Sequence, residues 1–136
     1  MREILFRGKR VDNGEWVEGS LIHQTKFYGD PVDHYHILYD GEFHIDYYGS
    51  AEVIPETVGQ FTGLLDKNGK KIFEGDIIRF GDIMGIINYS TGCYCVKTNK
   101  PDWRSRNNPA IDIVLNEYPN EICVIGNIYD NPKLWR

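Results

Sequence analysis

The stretch from Phe61 to Phe80, FTGLLDKNGKKIFEGDIIRF, decides the fold. Thr62-Gly63 marks a point where the chain must turn. Asp66-Lys67-Asn68-Gly69 then closes a β-turn between apolar runs. Asn68 and Gly69 tolerate the positive φ such a turn needs. Glu74-Gly75-Asp76 is a tight reversal, and Asp76 is placed to accept backbone N–H groups inside it. The apolar pair Ile77-Ile78 follows at once. Reversals this close together leave room for short strands and none for a helix of ordinary length.

The same punctuation runs through the rest of the chain. Ile4–Val11 and Glu15–His23 flank Asp12-Asn13-Gly14, a hairpin signal. Asp33–Tyr48 reads as a second hairpin turning at Asp40-Gly41. Strands are expected at Val58–Leu65, Ile72–Phe73, Ile77–Phe80, Gly85–Tyr89, Cys93–Thr98, Ile111–Leu115 and Ile122–Ile125. Single helical turns fit only Asn116–Pro119 or the tail Asp130–Trp135. Strands every 8–12 residues separated by glycine turns predict a mainly β chain, a small barrel or sandwich built from hairpins with little helix. Gly-Asp-Ile-Ile followed by Gly85-Ile-Ile is similar to SH3-like barrels, which places such a barrel in the C-terminal half. The expected organisation is an N-terminal hairpin subdomain over 1–57 and a barrel-like subdomain over 58–136, packed as one compact unit.

A length of 136 residues, 41% of them hydrophobic and 26% charged, fits a small globular protein and excludes a disordered one. No run of about 18 apolar residues could span a membrane as a helix. The opening MREILFRGKR has no apolar core of a secretory signal, so a cytoplasmic protein is expected. The net charge of −5 argues against a protein that coats nucleic acid. That average conceals a split. Phe27 to Asp66 holds eight acids and no Lys or Arg, while the remainder holds 15 bases and 12 acids, a balance of +3. Basic residues gather at Arg2, Arg7, Lys9 and Arg10, and again at Lys97, Lys100, Arg104 and Arg106 around Trp103. Such a dipolar chain is suited to docking on its own copies or on a charged partner.

Two patches carry candidate chemistry. In His34 to Tyr48, HYHILYDGEFHIDYY, a three-residue loop at Tyr39-Asp40-Gly41 collects Tyr35, Ile37, Phe43, Ile45 and Tyr47 on one face. The other face then carries His34, His36, His44 and Asp46, with His36 opposite His44 and close enough to share a metal ion, the site a metal-dependent enzyme would use. Clustered histidines also predict pH sensitivity. The second patch is Lys97, Lys100, Trp103, Arg104 and Arg106, where the indole would stack on a base and the cations would meet phosphates. The acidic hairpin opposes that reading. Cys93 and Cys95 share one face of a strand and form the start of a zinc set, with Cys123 as a third ligand. Their spacing is unusual for zinc, and buried thiols acting as small hydrophobes fit better.

No catalytic constellation emerges. Glu74, Asp76 and Asp82 lie close in sequence, but acids beside glycine are what turns require. Asn68-Gly69-Lys70-Lys71 lacks the earlier glycine and the hydroxyl of a phosphate-binding loop. No catalytic residue and no cofactor is therefore assigned.

Together with Arg2-Glu-Ile-Leu-Phe-Arg7 and the ending Val124-Ile-Gly-Asn-Ile-Tyr-Asp-Asn-Pro-Lys-Leu-Trp135, the 61–80 stretch resembles the YopX family of phage and prophage proteins. The residues that carry the resemblance include Gly63, Asp66, Gly69, Glu74, Gly75, Asp76, Gly126, Asn127 and Pro132. It implies a mostly β protein, encoded in phages or prophages, with a tendency to self-associate; a host or phage protein is a separate candidate partner. It implies no enzymatic activity.

Overall fold

A computed structural model of the chain describes residues 3–25, 29–39, 49–90, 92–99 and 109–135. It is mainly β, as the glycine punctuation predicts, and divides into two compact units, residues 1–61 and 62–136.

The first unit is an antiparallel ladder with the order β4-β3-β2-β1-β5. Its strands are β1 (Phe6–Lys9), β2 (Trp16–Gln24), β3 (His34–Leu38), β4 (Ser50–Glu52) and the start of β5 (Gly59–Leu65). The hairpin at Asp12-Asn13-Gly14 forms, with Gly14 at φ 72° and Lys9 opposite Trp16. Beyond β4 the chain returns to β1. Arg10 and Val53 form an antiparallel bridge, flanked by the Val11 N–H bond to Glu52 O and the Ile54 N–H bond to Lys9 O. That bridge joins the two ends of the β1–β4 ladder, so the ladder curls around one face. Phe6, Gly8, Leu21, Tyr35, Ile37, Ala51 and Val53 share the inner face by register, and Ile37 and Val53 are fully buried. Gly8 has no room for a side chain, because a Cβ there would lie 3.0 Å from the Cβ of Val53.

The second unit centres on a four-stranded antiparallel sheet, order β10-β7-β8-β9, with β7 Asp76–Phe80, β8 Ile83–Ser90, β9 Cys93–Thr98 and β10 Cys123–Asn127. Among the described residues no pairing joins β10 to β9, and the four strands form a compact sheet with no closing pair between its edges. The end of β5 leads through the Asp66–Gly69 turn into β6 (Lys71–Phe73). The core of this unit joins Ile72, Ile78, Phe80, Ile83, Ile87, Val96, Ile111, Val114, Ile122 and Val124. The tail ends in a 3-10 turn, Pro132–Trp135, where a single turn was expected.

One expected strand is a helix. Ile111–Leu115 lies inside α1, Ile111–Glu117. Ile111 and Val114 are buried, while Leu115 and Tyr118 pack against the same core, the i, i+3, i+4, i+7 stripe of an amphipathic helix. The Tyr118 ring meets the edge of Phe80 at 4.9 Å. The β-branched Ile111, Ile113 and Val114 favour a strand locally, but such propensity is a weak prior that packing overrides.

Candidate functional site

The acids of the 61–80 stretch are tied to backbone amides. Asp66 Oδ1 accepts the N–H groups of Asn68 at 2.8 Å and Lys70 at 2.9 Å, and its Oδ2 accepts the Val124 N–H at 2.9 Å. The Lys67 N–H reaches Ile122 O, so the whole turn is fastened to the strand region that starts β10. Burial opposes ionisation of Asp66, but the three amides outweigh it and hold the carboxyl below its ordinary range. Asp76 is 1% exposed, and its Oδ2 accepts the Phe73 N–H at 2.8 Å across the Glu74-Gly75 reversal. Gly63, Gly69 and Gly75 all take positive φ, at 87°, 79° and 88°.

The chain's end is built in the same way. Asn127 Oδ1 accepts the N–H groups of Tyr129 and Asp130, and Asn131 N–H bonds back to Asn127 O before Pro132 opens the 3-10 turn. A Cβ on Gly126 would lie 2.5 Å from Asn131 Oδ1, so a larger residue would force the Asn131 side chain away from the Asn127 N–H. These side chains shape turns by accepting backbone N–H groups, and Asn127 Nδ2 also donates to Asp130 Oδ2 at 3.2 Å.

Residues 5–136 match the model of the family described as YopX protein. The chain belongs to the YopX family. Its fold is similar to that in the crystal structure of protein EF1440 from Enterococcus faecalis, with a TM-score of 0.60, 24% identity and 100% of both chains covered. None of the curated proteins matches the chain.

The first unit of this YopX chain holds a histidine–carboxylate cluster. Gly29, at φ 95°, turns the chain into Asp30, whose Oδ1 accepts the Val32 N–H. The other oxygen of Asp30 lies 2.9 Å from His34 Nε2, and Glu52 Oε2 lies 2.9 Å from His34 Nδ1. With a carboxylate at each ring nitrogen, only the doubly protonated imidazole donates to both. Glu52 and then Asp30 accordingly raise the His34 pKa, against a smaller opposing effect of burial. On the opposite face of the ladder, His23 stacks on Tyr35 at 4.4 Å and sits 3.3 Å from Asp33.

The His34 geometry is suited to holding a proton, because its two nitrogens point in opposite directions toward separate acids. His36 has Ile22 across one edge of β3 and Glu52 across the other, so a carboxylate rather than a histidine stands opposite it. His44 and Asp46, and with them the second half of the expected hairpin, lie outside the described residues. Among the described residues no three His, Cys, Asp or Glu side chains converge as metal ligands. The three cysteines do not meet either. Cys93 and Cys95 lie on β9 and Cys123 on β10, at opposite edges of the sheet and about 14 Å apart by strand spacing.

Of the basic loop, Lys97 is exposed on β9 opposite Ile86, while Lys100, Trp103, Arg104 and Arg106 lie outside the described residues. The N-terminal basic cluster is partly absorbed by its own hairpin. Arg7 lies over the Trp16 ring at 4.7 Å with Lys9 at 5.5 Å, and Arg10 pairs with Asp12 at 2.8 Å. Sequence reasoning missed the Trp16 contacts and the Glu52 partner of His34. The first had a signal in the register of the Asp12-Asn13-Gly14 hairpin. The second had none, because Glu52 arrives from a strand 18 residues away.

Proposed function

We propose that this YopX chain is a non-enzymatic interaction module that associates with its own copies, encoded by a phage or prophage and acting in the host cytoplasm. The observation that carries this reading is the distribution of exposed apolar side chains. Among the described residues Ile4, Val11, Ile22, Val32, Tyr39 and Ile54 belong to the first unit, against Leu65, Tyr89 and Leu134 in the second. By register Val11, Ile22 and Ile54 share the outward face of the β1–β4 ladder with Lys9, Trp16, Glu18, His36 and Glu52. Apolar groups flanked by charges of both signs on one face suit a self-complementary contact, as a two-fold interface requires. The split between acidic centre and basic ends supports the same reading.

Light scattering after size exclusion tests it. At about 100 μM, which detects association stronger than about −5.5 kcal/mol, the tag-free protein should elute at a multiple of 15.8 kDa. Ile22→Glu, on an exposed position, should return it to monomer. A wild-type monomer under those conditions refutes the proposal.

A further inference from the structure

The thiol pair on β9 is not used by the proposed interface. Cys93 is exposed and Cys95 buried, and both are free. Their sulfurs lie 3.4 Å apart on the same face of β9, where Cys93 stands opposite Ser90 and Cys95 opposite Asn88. Both thiols also reach the carbonyl of Ser90, at 3.6 and 3.8 Å. Residues two apart on a strand have Cα atoms about 6.6 Å apart, at the upper end of what a disulfide bridges. β9 is an edge strand among the described residues, whose contacts on its outer side start at Cys95, with the bridge to Ala110 and the Val96 N–H bond to Pro109 O. Cys93, exposed at the start of the strand, precedes these outer contacts, and closing the bridge from 3.4 Å breaks none of them.

We infer that Cys93 and Cys95 form a redox-active dithiol that a low-molecular-weight disulfide, such as glutathione disulfide, converts reversibly into an intramolecular disulfide. Cys93 is the attacking group, because its sulfur is the one that solvent reaches. Its thiolate displaces one glutathione thiolate and forms a mixed disulfide. Cys95 then loses its proton to solvent and attacks the Cys93 sulfur, and the second glutathione thiolate leaves. The protein gives up two protons and two electrons, and glutathione disulfide becomes two glutathione thiols. Burial pushes the Cys95 thiol up, and that burial persists after Cys93 has been capped, so the second step is the slower one and accelerates with pH. A bridge between neighbours on an extended strand is strained, and strained disulfides are readily reduced.

The test uses the full chain, equilibrated with mixtures of oxidised and reduced glutathione, quenched in acid, alkylated and weighed. With excess glutathione disulfide the wild-type protein should lose two of its three alkylatable thiols and two hydrogens, with Cys123 still labelled. Added glutathione should restore all three. Cys95→Ser should stop at a glutathione adduct on Cys93. Three labelled thiols at every ratio, or a wild-type protein that also stops at the adduct, overturns the inference. The wild-type readout needs no variant to fold.

Discussion

Replacing Asp66 measures how tightly the central turn is bound to the strand beyond it. Its carboxylate accepts three backbone N–H groups, two inside the turn and one from Val124, 58 residues away. The amides of Asn68 and Lys70 border exposed residues, and water replaces most of what they lose. The Val124 amide belongs to a residue only 9% exposed, and leaving it unpaired costs about 1–3 kcal/mol. Adding about 1 kcal/mol for the turn, Asp66→Ala should destabilise by roughly 3 kcal/mol, or roughly 10 °C in Tm for a chain of this size. Asp66→Asn separates the two contributions. Its single carbonyl can still serve Asn68 and Lys70, but its NH2 then faces the Val124 N–H donor to donor. Urea unfolding should therefore place Asp66→Asn close to Asp66→Ala, with an unchanged m-value. An Asp66→Asn protein as stable as wild type would mean that the bond to Val124 contributes nothing, and the reasoning fails. The pH dependence has a definite sign. Because the folded pKa is depressed, the Asp66 contribution is present above the unfolded value near 3.9 and is lost as pH falls through the folded one. The gap between wild type and Asp66→Ala should close in acid.

Three further outcomes follow from the same geometry. His34, with its pKa raised by Glu52 and Asp30, contributes stability that is fully present below the unfolded value near 6.5 and is lost as pH rises through the folded one. The stability difference between wild type and His34→Gln should be larger at pH 6 than at pH 9, and an equal or reversed difference removes the proton-holding role. Gly75→Ala and Gly14→Ala both place an L side chain at positive φ, costing about 1–2 kcal/mol, but only at Gly75 does the new Cβ meet Tyr129, at 3.0 Å. Gly75→Ala should therefore be the more destabilising in thermal melts, and equal effects would mean that Tyr129 moves aside freely. Phe80→Ala empties a fully buried position beneath Tyr118 and should cost about 3–5 kcal/mol by denaturant unfolding. A loss under 1 kcal/mol would show that the helix α1 collapses into the space.

What was legible in the sequence, and what was not, divides by distance along the chain. Asp12-Asn13-Gly14, Asp66–Gly69 and Glu74-Gly75-Asp76 are readable because their φ requirements and side-chain bonds are satisfied within about five residues. The segment at 111–117 is ambiguous for a local reason of its own. Ile-Asp-Ile-Val-Leu alternates well enough for a strand, and seven residues are too few for a helical period to announce itself. Only the core that receives Ile111 and Val114 together decides between the two. Strand partners lie further still from local rules. The nearest alternating run is the natural hairpin partner and puts His44 opposite His36, yet the edge of β3 beside His36 is taken by Glu52 of β4. The same displacement removes Cys123 from the neighbourhood of Cys93 and Cys95, since the order β10-β7-β8-β9 puts the last strand on the far edge. Asp66 shows both sides of this limit in one residue. A turn acid was readable from Asp-Lys-Asn-Gly alone, while its second oxygen, which fastens the turn to Val124, depends on a partner that no local pattern names.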